Sequence, residues 1–364
     1  MSCTIGVGVI GVAPGRSWAA LAHIPALKAL PAFEVRALST TRMESAKAAA
    51  EEFGVPQAFD SAEALVNAPG VDLVAVTVKV PHHRELVLAA LNAGKHVYCE
   101  WPLGNGLAEA EQLAALAKAK GVHAVVGLQA RCAPEMAYVR DLVADGYVGK
   151  VLSTTLVGSG MNWGSMIDQP NAYTADKANG ATMLSIPFGH TIDAVCQALG
   201  EFVDVDAILA NRRTSFKLVP DNVEMPMTAH DQVLVQGTLA GGTTVSVHYR
   251  GGVMRGTNLL WEINGTEGDL QVTSMGGHAQ MFPLTLSGSH GDALGLSEMD
   301  VPESYLWTPE LPMFAQNVAQ VYALMADDIA HDTHKAPTFE DAVRRHRLLD
   351  AIERAAETGQ RQTL

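Results

Sequence analysis

Five short apolar stretches, each followed by a segment of helical periodicity, constrain this chain more than any other feature. Residues 5–10, 33–39, 71–78, 97–99 and 122–128 are rich in Val, Ile, Leu and Ala. Such runs suit strands covered on both faces. Helical patterns begin near Ala19 and occupy 44–53, 84–92 and 107–120. Strand alternating with helix predicts a doubly wound parallel sheet. Ligands of such sheets gather at the carboxyl ends of the strands. The stretch 96–104, His-Val-Tyr-Cys-Glu-Trp-Pro-Leu-Gly, is one such end. Pro102 cannot donate to a sheet ladder, so this strand stops before it.

Beyond about residue 125 the pattern changes. A helix is expected at 135–144, and strand-like stretches follow at 151–157, 203–210, 231–239, 243–249, 259–264 and 269–273. Gly241-Gly242 and Thr266-Glu267-Gly268 read as hairpin turns. One helix is expected within 181–199 and two more at 313–332 and 339–358, the last capped by Thr338. The fold class is therefore α/β. A Rossmann domain (1–125) precedes an α+β domain with a large, mostly antiparallel sheet (126–364), whose final helices are free to return to the first domain. The net charge of −14, without a Lys/Arg cluster, argues against nucleic acid or an anionic membrane as partner. Cys3, Cys99, Cys132 and Cys196 have neither metal nor redox spacing. Reduced thiols in a cytoplasmic protein are the default expectation. The apolar start, 1–12, carries no Lys or Arg and reads as a first strand rather than a signal peptide.

The first strand-to-helix turn is where a dinucleotide would sit, because a helix start offers unpartnered N–H groups and a positive dipole end. Gly6, Gly8 and Gly11 form a formal Gly-x-Gly-x-x-Gly, but the first two fall inside the strand. The usable turn begins at Gly11, with Val12, Ala13, Ser17 and Trp18 following. The second strand ends in Ser39-Thr40-Thr41-Arg42, with no acid for a ribose 2′-OH. Hydroxyls and Arg42 suit a 2′-phosphate better, so the sequence leans to NADP over NAD. Lys79 follows the strand at 71–78 and lies on the ligand side.

Ala93-Gly94-Lys95-His96-Val97 leading into Glu100-Trp101-Pro102-Leu103 resembles the signature of the Gfo/Idh/MocA oxidoreductases. So do 18–23, His83, Gly265-Thr266-Glu267-Gly268 and Pro337-Thr338-Phe339-Glu340-Asp341-Ala342. Two places depart from that pattern. Trp101 stands where the family carries a lysine, and Ile186 stands where an aspartate precedes the catalytic histidine, here His190, by four residues. The Glu-Trp-Pro form is most similar to a subgroup that includes a fungal galactose-pathway repressor.

The resemblance implies cofactor contacts at Val78, Lys79, His83, Glu100, Trp101 and Gln129. It implies a substrate pocket bordered by Asn162, Trp163, Tyr173 and His190. His190 would be the acid/base, with Asp193 one turn on to orient its ring, Lys79 in place of the missing lysine and Trp101 as a flat wall. A small cyclic or sugar-like substrate, with hydride passing between its carbonyl/hydroxyl (or imine/amine) carbon and nicotinamide, follows from this. The alternatives are a non-catalytic NAD(P)-sensing regulator and a lyase or glycosidase with a recycled NAD. A homodimer or homotetramer is also implied. No metal is expected.

Overall fold

In the computed structural model, which describes residues 4–308 and 310–364, the first unit comprises Met1–Gln129 and Thr308–Arg344. Its sheet contains β1 (Ile5–Ile10), β2 (Phe33–Ser39), β3 (Gln57–Phe59), β4 (Leu73–Val76), β5 (His96–Glu100) and β6 (Ala124–Gly127). All pair in parallel, in the order β3-β2-β1-β4-β5-β6. This is the Rossmann order, with its switch point between β1 and β4. Helices α1 (Ile24–Ala29), α2 (Met43–Phe53), α3 (Ala62–Val66), α4 (His83–Asn92) and α5 (Leu107–Lys120) connect the strands. Val7, Val9, Val74, Ala75, Val97 and Tyr98 are wholly buried, as the apolar runs require.

The glycines inside β1 are packing positions. A Cβ on Gly6 would stand 1.8 Å from the Gly70 carbonyl oxygen, and one on Gly8 would stand 2.6 Å from Leu65 Cδ2.

Several boundaries differ from the sequence expectation. The edge strand β3 has three half-buried residues and no periodic signal. β4 stops at Val76 rather than 78 as its neighbour β1 ends at Ile10: the last ladder bond runs from the Thr77 amide to the Ile10 carbonyl at 3.2 Å, and Thr77 Oγ1 donates to the same oxygen at 2.7 Å. Lys79 therefore stands in the connecting loop, before a short turn at Val80–His82. β6 is trimmed to four residues, and its outer edge is closed from within the unit: the Val126 amide donates to the Pro337 carbonyl at 2.8 Å. The first helix opens with a π-helical turn, Ala19–His23, ahead of Pro25.

The second unit comprises Ala130–Trp307 and Arg345–Leu364. After α6 (Pro134–Ala144) come β7 (Val151–Gly160), β8 (Met166–Asp168), α7 (Gly189–Leu199), β9 (Phe202–Ala210), β10 (Ser215–Val219) and β11 (Val223–Pro226). Then follow β12 (Gln232–Leu239), β13 (Thr244–Gly251), β14 (Leu259–Gly265), β15 (Gly268–Ser274), β16 (Thr285–His290), β17 (Ser297–Glu298) and, at the carboxyl end, β18 (Gln362–Thr363). Nine strands form one sheet, β17-β16-β15-β14-β7-β13-β12-β9-β18. Every pairing in it is antiparallel except β7 with β13. β8, β10 and β11 form a separate small sheet that the sequence pattern does not reveal.

Helices α8 (Met313–His331) and α9 (Phe339–Thr358) precede β18. Thr338 and Asp341 cap α9 reciprocally: the Asp341 amide donates to Thr338 Oγ1 and the Thr338 amide to Asp341 Oδ2. Among the described residues no helix is long and apolar enough to cross a membrane. Cys99, Cys132 and Cys196 are free thiols, and Cys3 lies outside the described residues.

Candidate functional site

The turn after β1 has the form a pyrophosphate needs. Gly11 has φ of 100°, a conformation side-chain-bearing residues avoid. A Cβ there would meet Val78 Cγ1 at 2.6 Å. Gly11 and Val78, expected separately as cofactor contacts, are thus in direct contact with each other. Ser17 caps the helix start: its Oγ accepts from the Ala13 and Ala20 amides at 2.9 and 3.2 Å. Trp18 lies 6.0 Å from Phe314, and its indole N–H is buried without a hydrogen-bond partner among the described residues. Val12 is buried beneath the turn.

At the end of β2 the Ser39 carbonyl accepts from the Gly11 amide at 3.0 Å, which ties this loop to the turn. Thr41 and Arg42 are exposed. Thr40 is not a free hydroxyl for a phosphate. Its Oγ1 donates to the Arg42 carbonyl at 2.8 Å and lies 2.6 Å from Ser45 Oγ. It shapes the loop that presents Arg42 at the start of α2.

The loops after β4 and β5 carry the remaining expected contacts in this unit. His83 is buried, with Nδ1 on the Pro102 carbonyl (2.7 Å) and Nε2 on the Val78 carbonyl (3.0 Å). It fastens these two loops together and offers a cofactor no nitrogen. Lys79 is exposed. Trp101 is only 4% exposed, so most of its ring is committed to packing and is not the open stacking wall the sequence suggested.

Glu100 anchors a polar cluster of which the sequence named Glu100 and Gln129 but not their connection. Its carboxylate accepts from His23 Nε2 at 3.0 Å and from Gln129 Nε2 at 2.9 and 3.0 Å. His23 Nδ1 then accepts from the Tyr322 hydroxyl at 2.8 Å. Burial, then the nearby Glu100, pushes the Tyr322 phenol well up, so it stays a neutral donor. The Gln129 Oε1 is buried without a hydrogen-bond partner among the described residues, an open acceptor for an amide N–H such as that of a nicotinamide carboxamide. The Gly11 cradle and this orphaned acceptor both fit a dinucleotide.

In the second unit, Pro187 lies in a π-helical turn, Leu184–Phe188, directly before α7. Proline cannot donate, and the widened turn lets the Phe188 amide reach the Met183 carbonyl at 3.2 Å instead. The helix resumes at Gly189 with His190 next, 4% exposed. Asp193 does not orient His190. Both its oxygens are taken by guanidinium groups: Arg131 binds Oδ1 and Oδ2 at 2.6 Å each, and Arg345 binds Oδ1 at 3.2 Å. Trp163 is buried, and its indole N–H donates to the Thr174 carbonyl at 3.0 Å. That bond brings the segment of Asn162 and Trp163 beside the turn bearing Tyr173. A residue with no motif around it, His278, joins this group: its ring lies 6.4 Å from Trp163, at 18° between planes.

Residues 5–128 match the sequence model described as "Oxidoreductase family, NAD-binding Rossmann fold". Residues 134–274 match "Gal80p, C-terminal domain". The dehydrogenase aclE of Aspergillus oryzae is 31% identical over 99% of this chain and 98% of its own length. The levoglucosan dehydrogenase of Pseudarthrobacter phenanthrenivorans is 27% identical over 73% of this chain and 71% of its own. Among solved structures, a super-repressor mutant of Gal80p from Saccharomyces cerevisiae superposes with a TM-score of 0.91 at 25% identity, covering 99% of this chain and 98% of that one. The chain belongs to the Gfo/Idh/MocA oxidoreductase family, with its NAD-binding Rossmann fold.

Proposed function

We propose that the protein is an NAD(P)-dependent oxidoreductase acting on a small cyclic, sugar-like substrate at a carbonyl/hydroxyl or imine/amine carbon. Bound nicotinamide would supply or accept the hydride. The chain's own part is to hold the dinucleotide, orient the substrate and move one proton. Gly11 to Trp18 would hold the pyrophosphate, and Gln129 the carboxamide. Arg42, exposed at the start of α2, suits a ribose 2′-phosphate, which favours NADP. His190 would exchange the proton of the substrate oxygen or nitrogen, with Lys79 as a second cation and Asn162, Trp163 and Tyr173 bordering the substrate.

The observation that carries this reading is His190 itself. A buried imidazole near the start of a helix, beside a second histidine, is what proton transfer needs and what nucleotide sensing alone does not. Two measurements test it. Fluorescence titration should show tighter binding of NADPH than of NADH; the reverse order would remove the role given to Arg42. His190→Ala should lower turnover at least about tenfold while nucleotide affinity survives. Unchanged turnover would remove His190 from the reaction.

A second reading is favoured by the Gal80p match over residues 134–274 and by Trp101. A nucleotide-sensing regulator would bind NAD(P) tightly, turn over no substrate and dock a protein partner.

A further inference from the structure

His278 is 5% exposed and follows two glycines for which the fold leaves no alternative. A Cβ on Gly277 would stand 1.9 Å from the Ser159 carbonyl oxygen, and one on Gly276 would stand 2.2 Å from the Phe282 ring. The loop is therefore pressed against β7, and His278 is held between Trp163 (6.4 Å, 18°) and Phe282 (6.4 Å, 71°). Its neighbour in space is His190. The Tyr249 hydroxyl donates to Thr191 Oγ1 at 2.7 Å and stands 3.4 Å from the Gly277 carbonyl oxygen. One buried phenol thus brackets the residue after His190 and the residue before His278.

The Gln280 amide nitrogen faces His278 Nδ1 at 3.4 Å, which makes Nδ1 the acceptor and leaves the ring proton on Nε2. That Nε2 is buried and has no hydrogen-bond partner among the described residues. Burial first, and then the adjacent His190, hold the His278 pKa down to about 3, so the ring is neutral at working pH. A buried donor left unmade is unfavourable and calls for an acceptor that arrives with a ligand.

We propose that His278 is a substrate-specificity residue whose Nε2–H donates to an oxygen next to the reacting carbon. The pocket would then select ring substrates with two neighbouring oxygen substituents, one served by His190 and one by His278. This rests on the oxidoreductase reading above. It adds that vicinal diols and α-hydroxy ketones are preferred over compounds with a single oxygen.

The test compares oxidation of glucose, myo-inositol and levoglucosan, with NAD and NADP, against the analogue of each lacking one adjacent hydroxyl. Wild-type kcat/KM should favour the intact compound by roughly tenfold or more. In His278→Phe, which keeps the ring stack but has no N–H, that ratio should fall to about threefold or less. Nucleotide affinity should stay unchanged. His278→Ala serves if the Phe variant does not fold, and His278→Asn, which restores an N–H donor, should recover part of the preference. A preference undiminished in the Phe or Ala variant overturns the assignment. A wild-type protein that binds nucleotide but oxidises no member of the panel overturns the oxidoreductase reading, and this inference with it.

Discussion

Asp193→Ala is expected to destabilise the second unit by about 3–5 kcal/mol, because it removes the buried carboxylate that Arg131 and Arg345 share. Asp193 is wholly buried and binds Arg131 through two 2.6 Å bonds. Arg345, also buried, binds it from α9 and continues to Glu201 at 2.8 Å. Without the carboxylate, the half-buried Arg131 loses both of its 2.6 Å bonds, and the buried Arg345 is left to Glu201. For a unit of this size the melting temperature should fall by roughly 10 °C or more. The triply apolar Asp193→Leu/Arg131→Met/Arg345→Met should recover much of the loss, since a buried charge cluster replaced whole is often neutral. Acid behaviour supplies an independent check. Burial alone would raise the Asp193 pKa, but Arg131 and then Arg345 more than reverse this and hold it below the usual range. Its stabilisation is therefore complete above the unfolded carboxyl value of about 3.9 and is lost as pH falls through the lower folded value. Thermal melts between pH 3 and 7 should show a shallower acid decline in Asp193→Ala than in the parent. A variant melting within 2 °C of the parent would mean the network contributes little.

This network also explains what the sequence could and could not reveal. Asp193 lies three residues after His190, and that spacing suggested a partner for the imidazole. Spacing places side chains on one helix face; it does not report what else packs there. Here Arg131 and Arg345 reach the same carboxylate from positions 62 and 152 residues away, distances over which no periodicity speaks. The strands of the Rossmann sheet were legible because a buried parallel strand must be apolar on both faces, as Val7, Val9 and Val74 are. The exposed β11, Val223–Pro226, had no such requirement to leave a mark. His278 was missed for a related reason. Its only local signal is the Gly276-Gly277 pair, and glycines before a histidine mean nothing until the Ser159 carbonyl is seen to occupy the space of a Cβ. The Glu100 cluster was half legible. The signature stretch named Glu100, yet His23, Gln129 and Tyr322 come from three other segments.

Gly11→Ala is expected to weaken NAD(P) binding at least tenfold while leaving the Rossmann sheet folded. Two costs coincide at this residue. A φ of 100° is strained for alanine by about 1–3 kcal/mol, and the new methyl would lie 2.6 Å from Val78 Cγ1. Relief requires the backbone at Gly11 to rotate or the Val78 loop to retreat. Rotation carries the amide of Val12 out of the direction in which a pyrophosphate would meet it and strains the Ala13 amide's bond to Ser17 Oγ. It also strains the bond from the Gly11 amide to the Ser39 carbonyl, and so disturbs the loop that presents Arg42. Retreat of Val78 pulls on His83, whose Nε2 rests on the Val78 carbonyl, and through it on the Pro102 turn. Each route damages a different part of the same site, so affinity should fall for NADH and NADPH alike. Val78→Ala would remove the steric cost and keep the torsional one, so the double variant Gly11→Ala/Val78→Ala should regain only part of the affinity. Fluorescence titration of the three variants, beside circular dichroism to confirm the fold, separates the two costs. Full affinity in Gly11→Ala would mean that the dinucleotide is not held at this turn. The assignments of Ser17, Trp18 and Arg42 would fall with it.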